Sequence, residues 1–343
     1  MGKFGRLVLK IAAAVILVIG VLALILSAFS GEKRNGSAAQ GEQEYLIRVG
    51  LAQSGEDTPW KAANTQSYLE TFTEENGYAL LCADAGTDPE KQFEDVEAFV
   101  RQNVDYIILN PVVETGWEEI LEEAKEARIP VILINNKLDE VDEGFYRCWL
   151  GSDVKKQSRN AGKWLYKYLK KQEREDEEIA VAAIQGSIGT SEQMARAEAY
   201  QEMLEKYGNW SMKAQQTGED TRDGAKEVMR LFLEHHPDID VVFAESDEMA
   251  LGAAEAITEA GRTCGGENGV LLISFGGGKE ALRAVADGTL SVTFEKSPEQ
   301  APKAAELIQR MDAGISVDKE QYVKETYYDA EKATEEVIEK RQY

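Results

Sequence analysis

The chain is poor in the side chains that most often carry catalysis or cross-links. It holds 2 histidines, 3 cysteines and 7 prolines in 343 residues. Cys82, Cys148 and Cys264 build no disulfide framework, since at most one bridge forms and one thiol is left over. Their spacing fits neither a zinc site nor a C-x-x-C redox pair. Cys82, which follows Ala79-Leu80-Leu81, reads as a small core residue. The histidines stand together in Leu233-Glu234-His235-His236-Pro237, a pattern that predicts a helix end, where the helix dipole favours them, rather than a metal site. No G-x-S-x-G nucleophile elbow is present. Gly276-Gly277-Gly278-Lys279 is not a phosphate loop: Ile273 stands where the first glycine is required, and Glu280 where Ser or Thr is required. No catalytic residue, metal or cofactor is expected, and the chain does not read as an enzyme. Basic residues are scarce as well, with 38 Lys and Arg against 62 Asp and Glu and a formal net charge of −24. That excludes nucleic acid as a partner, because phosphate contacts need clustered cations. The acidity suits an exported protein that must stay soluble.

What is present begins at the N-terminus. Lys3, Arg6 and Lys10 precede an uncharged apolar run from Ile11 to Ser30, which matches the roughly 20 residues that a membrane-spanning helix needs. The basic flank holds the N-terminus inside and sends the rest out. Ala28-Phe29-Ser30 also makes an acceptable signal-peptidase site, so both an uncleaved anchor and secretion after cleavage near Ser30 are open. Lipid attachment through cysteine is not open, since no cysteine precedes Cys82. Residues 31–44, rich in Gly, Ser, Glu, Lys and Gln, read as a flexible linker.

From Tyr45 onward, short apolar runs alternate with amphipathic stretches. The predicted strands are Leu46–Ala52, Ala79–Ala83, Tyr106–Asn110, Val131–Asn135, Ile179–Ile184, Val241–Ala244, Val270–Ser274 and Ser291–Phe294. Continuous apolar runs of this length suit strands covered on both faces in a parallel sheet. Trp117, Ile120, Leu121 and Ala124 keep helical spacing, as do Ala161, Trp164, Leu165 and Tyr168. Thr58-Pro59, Asp88-Pro89 and Ser297-Pro298 predict helix starts. Thr115-x-x-Glu118 and Ser297-x-x-Gln300 read as capping boxes. The alternation implies a doubly wound α/β architecture, with a (β/α)₈ barrel also compatible with the length.

The loops at the carboxyl ends of the strands, where open α/β sheets bind ligands, carry a polar set with an aromatic. They contain Gln53-Ser54-Gly55 leading to Trp60-Lys61, Asn135-Asn136, Gln185-Gly186-Ser187 followed by Arg196, Thr217 to Arg222 including Thr221, Glu245-Ser246, Phe275-Gly276-Gly277, and Glu295. Amides, carboxylates and arginine pair with sugar hydroxyls, and an indole such as Trp60 covers the apolar face of a sugar ring.

At these residues the chain resembles the type I periplasmic sugar-binding proteins, most closely their galactofuranose-binding branch. The resemblance is carried by Gly50-Leu-Ala-Gln-Ser-Gly with Trp60, by Asn110-Pro-Val-Val-Glu-Thr-Gly-Trp117, and by Ala124-Lys-Glu-Ala-Arg-Ile-Pro-Val131. Gln185-Gly-Ser-Ile-Gly189, Thr217-Gly-Glu-Asp-Thr-Arg222 and Asp247-Glu-Met249 extend it, so that it runs from Tyr45 to the C-terminus. It implies two doubly wound parallel-sheet lobes joined by a three-segment hinge near Leu150, Glu295 and Val323, with ligand enclosed between them. The expected division is 1–44 for anchor and linker, 45–149 plus 297–323 for the N-terminal lobe, and 150–296 plus 324–343 for the C-terminal lobe. The implied role is capture of a monosaccharide or related polyol outside the cell by a monomer that delivers it to an ABC permease. A membrane-anchored sensor presenting its closed form to a histidine kinase or receptor would use the same fold. A repressor's effector domain would also use it, but requires an N-terminal helix-turn-helix that residues 1–44 do not provide.

The resemblance places Ser54, Trp60, Arg196, Thr221 and Glu295 at positions that line or border the cleft. Lys61 stands where the branch tends to have Arg, keeping the charge without the planar fork. Other positions depart further. Asn135-Asn136 replace Asp-Arg, Ser246 replaces Asn, and Phe275-Gly276-Gly277 replace Ile-Asp-Gly. The expected ligand-binding set is therefore Ser54, Trp60, Lys61, Asn135, Asn136, Arg196, Thr221, Ser246 and Glu295, with a ligand changed from galactofuranose.

Overall fold

A computed structural model of the chain describes residues 45–55, 58–139, 141–266 and 268–343. The expected membrane segment and linker lie outside the described residues. Among the described residues, no helix is long and apolar enough to cross a membrane.

Two six-stranded sheets organise the chain. The first contains β1 (Ile47–Gln53), β2 (Tyr78–Asp84), β3 (Tyr106–Leu109), β4 (Val131–Ile134), β5 (Cys148–Gly151) and β11 (Glu320–Tyr322). Their order is β2-β1-β3-β4-β5-β11, with every pair parallel. The second contains β6 (Ile179–Gln185), β7 (Trp210–Thr217), β8 (Val241–Ala244), β9 (Leu271–Gly276), β10 (Val292–Glu295) and β12 (Tyr327–Asp329). Its order is β7-β6-β8-β9-β10-β12, and only the β10–β12 pair is antiparallel. These are the two α/β parallel-sheet lobes that the resemblance implied, and not the (β/α)₈ barrel that the length also allowed.

The central strands β3, β4, β6 and β8 are buried along their whole length, because helices cover both faces of each sheet. On the first sheet, Val49, Leu51, Ile108 and Ile132 meet α1 (Pro59–Thr71) and α9 (Ala301–Asp312) through Tyr68, Phe72, Ala304 and Ile308. The alternate residues Ile107, Leu109, Val131 and Leu133 meet α2 (Pro89–Arg101) and α3 (Glu118–Glu126) through Val96, Phe99 and Leu121. The second sheet packs on α4 (Val154–Lys171) and α5 (Ser191–Lys206) on one face. Its other face is covered by α6 (Arg222–His235), α7 (Asp247–Glu259), α8 (Lys279–Ala286) and α10 (Glu335–Lys340). Each fully buried Leu, Ile or Phe in these layers contributes about 1.5–3 kcal/mol.

Helix starts follow local chemistry where nothing competes. Thr58 and Asp88 accept the backbone N–H of Lys61 and Lys91, and a proline follows each. The other two expected starts are displaced. Helix α3 begins at Glu118 after Trp117, with no side-chain cap, because Gly116 at φ +86° turns the chain and the Trp117 indole is fully buried. Helix α9 begins at Ala301 rather than Pro298. Residues 297–300 are held out of the helix by tertiary bonds: Ser297 N–H donates to Glu325 (3.0 Å), and the Gln300 side chain donates to Asn135 (2.6 Å).

Cys82 is exposed, contrary to the expected core position, because β2 is an edge strand whose pattern turns that side chain outward. His235 ends α6 and His236 caps it, as the sequence predicted. Strands β5, β7, β11 and β12 carried no sequence signal that set them apart. Strand β7 is a half-exposed edge, and β11 and β12 have three residues each.

The chain passes between the sheets three times: after Gly151, after Glu295 and after Tyr322. One carboxylate, Glu325, joins all three passages. It accepts from Ser152 Oγ (2.7 Å) on the first, Ser297 N (3.0 Å) on the second, and Gln157 Nε2 (2.5 Å), while itself lying on the third.

Candidate functional site

The carboxyl ends of the two sheets face a shared interlobe region, and the first lobe's contribution is built from amides. Gln53, at the end of β1, donates Nε2 to Asn64 Oδ1 of α1 (3.0 Å). Asn64 Nδ2 donates to Gln300 Oε1 (3.3 Å), and Gln300 Nε2 to Asn135 Oδ1 (2.6 Å). Asn135 Nδ2 donates to Asn110 Oδ1 (3.3 Å), and Asn110 Nδ2 returns to Gln53 Oε1 (2.6 Å). Five carboxamides thus form a closed circuit in which each donates to the next and accepts from the one before. It ties the ends of β1, β3 and β4 to α1 and to the start of α9. Asn135 sits at φ +60°, a left-handed conformation that asparagine tolerates better than most residues. Ser54 adds a buried bond from Oγ to Asn110 O (2.6 Å).

The remaining first-lobe candidates spread from this circuit. Trp60 donates Nε1 to Lys296 O on the second passage (2.7 Å), so its indole is fixed to the hinge. Lys61 is turned into its own loop, with Nζ on Gly55 O (2.7 Å) and on the Asp84 carboxylate (2.8 Å). Asn136 is exposed and donates to Pro111 O (3.0 Å).

The second lobe contributes charge. Arg196 is 0% exposed and lies over the Phe275 ring at 3.9 Å from its centroid. Its Nη2 donates to Glu192 Oε1 (2.9 Å), and the other oxygen of Glu192 accepts from Lys296 Nζ (2.7 Å). Burial alone would raise the Glu192 pKa, but Lys296 and Arg196 outweigh it and hold the carboxyl at about 2. Close by, Glu245 accepts from Gly186 N (2.9 Å), and burial pushes its pKa up to about 7 against the opposing pull of Arg196. Glu245 Oε1, Arg196 Nε and Tyr200 Oη are buried and make no hydrogen bond.

Thr221 and Ser246 serve as helix caps, accepting from Gly224 N (3.0 Å) and Met249 N (3.3 Å). Thr221 is exposed. Glu295 is bound by the C-terminal segment, through Arg341 Nη1 (2.8 Å) and the Tyr328 hydroxyl (3.3 Å). The glycine at 276 also has a local reason. A Cβ there would stand 2.3 Å from Asp247 Oδ2. Asp247 fills the space itself, accepting from Ser274 Oγ (2.7 Å), Thr293 Oγ1 (2.8 Å) and Gly278 N (2.8 Å).

The structure therefore brings Ser54 and Asn135 into one network, sets Trp60 beside Lys296, and joins Lys296 to Arg196 through Glu192. It draws Lys61, Thr221 and Glu295 into local bonds. Asn64, Glu192 and Lys296 had no distinguishing signal in the sequence, and Gln300 stood out only as part of a capping box, since each makes a bond to a partner remote in the chain. A cavity of about 280 Å³ opens between the lobes beside the first passage, with Asn135 and Trp149 on one side, Ser191 and Glu192 on the other, and Lys296 between them. Glu114, from the loop after β3, crosses to the other lobe, where its carboxylate accepts from Ser191 Oγ (3.0 Å) and N (3.3 Å) at the start of α5.

Known proteins resemble this chain in sequence and fold. The galactofuranose-binding protein YtfQ of Escherichia coli is 32% identical over 299 residues, covering 86% of this chain and 92% of that protein. A crystal structure from Mycobacterium smegmatis in complex with β-D-fucofuranose matches at 34% identity and a TM-score of 0.73, covering 84% of this chain and 93% of that one. The binding component of the arabinose ABC transporter from Shewanella sp. ANA-3, bound to α- and β-L-arabinofuranose, matches at 32% identity and a TM-score of 0.75, covering 86% and 96%. The family model described as a periplasmic binding protein domain matches residues 49–316. The chain belongs to the periplasmic binding protein family and is close to its sugar-binding members.

Proposed function

We propose that the chain captures a neutral monosaccharide or polyol between its lobes, outside the cytoplasmic membrane, and delivers it to an ABC importer. The carrying observation is the interlobe wall: the Asn135 amide, the Ser191 hydroxyl and the Trp149 indole line one cavity between the lobes. Such groups match hydroxyl edges and apolar ring faces. Relatives at comparable identity carry names or bound ligands that are furanoses of different kinds, which supports a sugar and leaves its identity to this chain's own substitutions. The proposed ligand set is Ser54, Trp60, Asn135, Asn136, Ser246 and Glu295, with Lys61 and Thr221 at its border and Arg196 buried behind Glu192.

The lobes are taken as 45–149 plus 297–323 and 150–296 plus 324–343, with residues 1–44 holding the protein at the membrane. The function asked of the chain is binding and closure, not chemistry. A calorimetric and thermal-shift screen of the full chain against pentoses, hexoses, polyols and sugar acids tests the ligand class. Saturable binding of a neutral sugar or polyol at roughly micromolar Kd is expected, near −8 kcal/mol. No response to any compound would remove the sugar reading. Copurification with a histidine kinase and no permease would replace the importer by a sensor.

A further inference from the structure

The geometry points to Glu192 as the specificity-determining residue of the interlobe site: it neutralises Arg196 and Lys296 from within and reserves the site for uncharged sugars and polyols over sugar acids. This rests on the reading that the ligand is a sugar bound between the lobes.

Glu192 is clamped by two cations, one on each oxygen: Arg196 Nη2 at 2.9 Å and Lys296 Nζ at 2.7 Å. The arrangement is the one a bound carboxylate would adopt, with the protein supplying the carboxylate itself. Arg196 is fully buried behind it, whereas the Glu192 and Lys296 side chains are each 31% exposed and line the 280 Å³ cavity. An incoming carboxylate that sought either cation would have to displace Glu192 or come to rest beside it. Two carboxylates sharing a site repel, and one must take up a proton. The two cations keep Glu192 ionised through the whole neutral range, so this repulsion is permanent.

The other charges on the described cavity lining are also satisfied. Lys137 pairs with Glu320, Lys155 with Glu198 and Glu202, and Asp153 caps α4 by accepting from Lys156 N (3.0 Å). A neutral ligand meets hydroxyl, amide and indole groups there, and an anionic one meets no spare cation. The expected cost falls on ligand charge and not on ligand size.

The test compares matched pairs in which one terminal CH2OH becomes a carboxylate: galactose with galacturonate, glucose with glucuronate, and ribitol with ribonate. Binding to the full chain is measured by calorimetry in the wild type, Glu192→Gln and Lys296→Gln. The wild type is expected to favour the neutral member of the pair it binds by about tenfold or more. Glu192→Gln keeps the shape of the side chain but leaves Arg196 and Lys296 uncompensated, so it should raise the acid-to-neutral affinity ratio by about tenfold. Lys296→Gln removes a cation and should leave that ratio at or below the wild-type value. The proposal is overturned if Glu192→Gln keeps the wild-type ratio while neutral sugar still binds, or if Lys296→Gln raises it equally. A wild type that prefers the acid overturns it without any variant. If the wild type binds no member of any pair, the sugar reading itself fails, and the role of Glu192 with it.

Discussion

Gln300 donates its amide to Asn135 over 2.6 Å and thereby closes a circuit of five carboxamides that also takes in Asn110, Gln53 and Asn64. Gln300 precedes α9 on the second passage between the sheets, and Asn135 follows β4. The bond therefore fastens the hinge to the binding face of the first lobe. An amide is required at each position, because each side chain both donates and accepts. This gives a physical reason for asparagine at 135, where the resembling branch carries aspartate.

Asn135→Asp keeps the shape but sets a carboxylate oxygen against Asn110 Oδ1, where a donor is needed. A loss of about 1–3 kcal/mol is expected, the usual cost of an unsatisfied buried polar group. Gln300→Ala should cost a similar amount. The double variant should cost less than the two combined, since both open one ring. Urea denaturation of the four proteins measures this. Strict additivity would show that the circuit is not a cooperative unit.

Arg196 was expected to reach the ligand directly, yet its side chain is 0% exposed, stacked on Phe275 and paired with Glu192. Its removal therefore acts on the fold. Arg196→Ala leaves Glu192 with Lys296 alone and empties the space over Phe275, and should destabilise the ligand-free chain by about 3 kcal/mol. Arg196→Lys restores charge without the flat stacking group and should recover only part of this. A denaturation midpoint for Arg196→Ala equal to that of the wild type would return Arg196 to a purely ligand-facing role.

The βα alternation was legible because strands such as Tyr106–Leu109 and Val131–Ile134 are apolar throughout, and buried parallel strands have no other way to read. The starts of α1 and α2 were legible because Thr58 and Asp88 bond within three residues of themselves. The start of α9 was not, because Ser297 and Gln300 answer to Glu325 and Asn135 from elsewhere in the chain. The site behaves similarly. Asn135 stood out as a strand-end amide, but Glu192 lies in an ordinary acidic helix start, and only its closeness to Lys296, 104 positions away, marks it. Gly276 read as a lost side chain. The fold shows instead that Asp247 occupies the place a side chain would need.

Glu245 gives the stability a pH dependence of definite sign. Burial raises its folded pKa from 4.5 to about 7, so the folded chain holds a proton that the unfolded chain has released between those values. Folding stability should therefore fall as pH rises through this window, by on the order of 3 kcal/mol from this group. Glu192 acts in a lower window. Its pKa is held at about 2 in the fold, and its contribution is lost as pH falls from 4.5 toward that value. Glu245→Gln preserves an acceptor for Gly186 N–H and should flatten the decline between pH 4.5 and 7 while leaving the acid limb intact. Unfolding free energies of both proteins across pH 3–8 decide the matter, and an unchanged slope in the variant would assign the dependence elsewhere.

The bond between Glu114 and Ser191 joins the two lobes directly. Glu114 belongs to the loop after β3, and its carboxylate meets the first residue of α5, accepting from both Ser191 Oγ (3.0 Å) and N (3.3 Å). A carboxylate at a helix N-terminus is favoured by the exposed N–H groups and by the dipole there. The contact exists only while the lobes are together, so its energy biases the balance between closed and open forms, not the packing of either lobe. Glu114→Ala should leave the unfolding midpoint almost unchanged and weaken closure by on the order of 1–2 kcal/mol, or roughly 5- to 30-fold in the closed-to-open ratio. Small-angle scattering of the ligand-free chain should then show a larger radius of gyration, and stopped-flow should show faster ligand release. Glu114→Asp shortens the reach but keeps the charge, and should fall between the two. If Glu114→Ala leaves both scattering and release rate at wild-type values, the bond is incidental to closure and the hinge cluster around Glu325 must set the balance by itself.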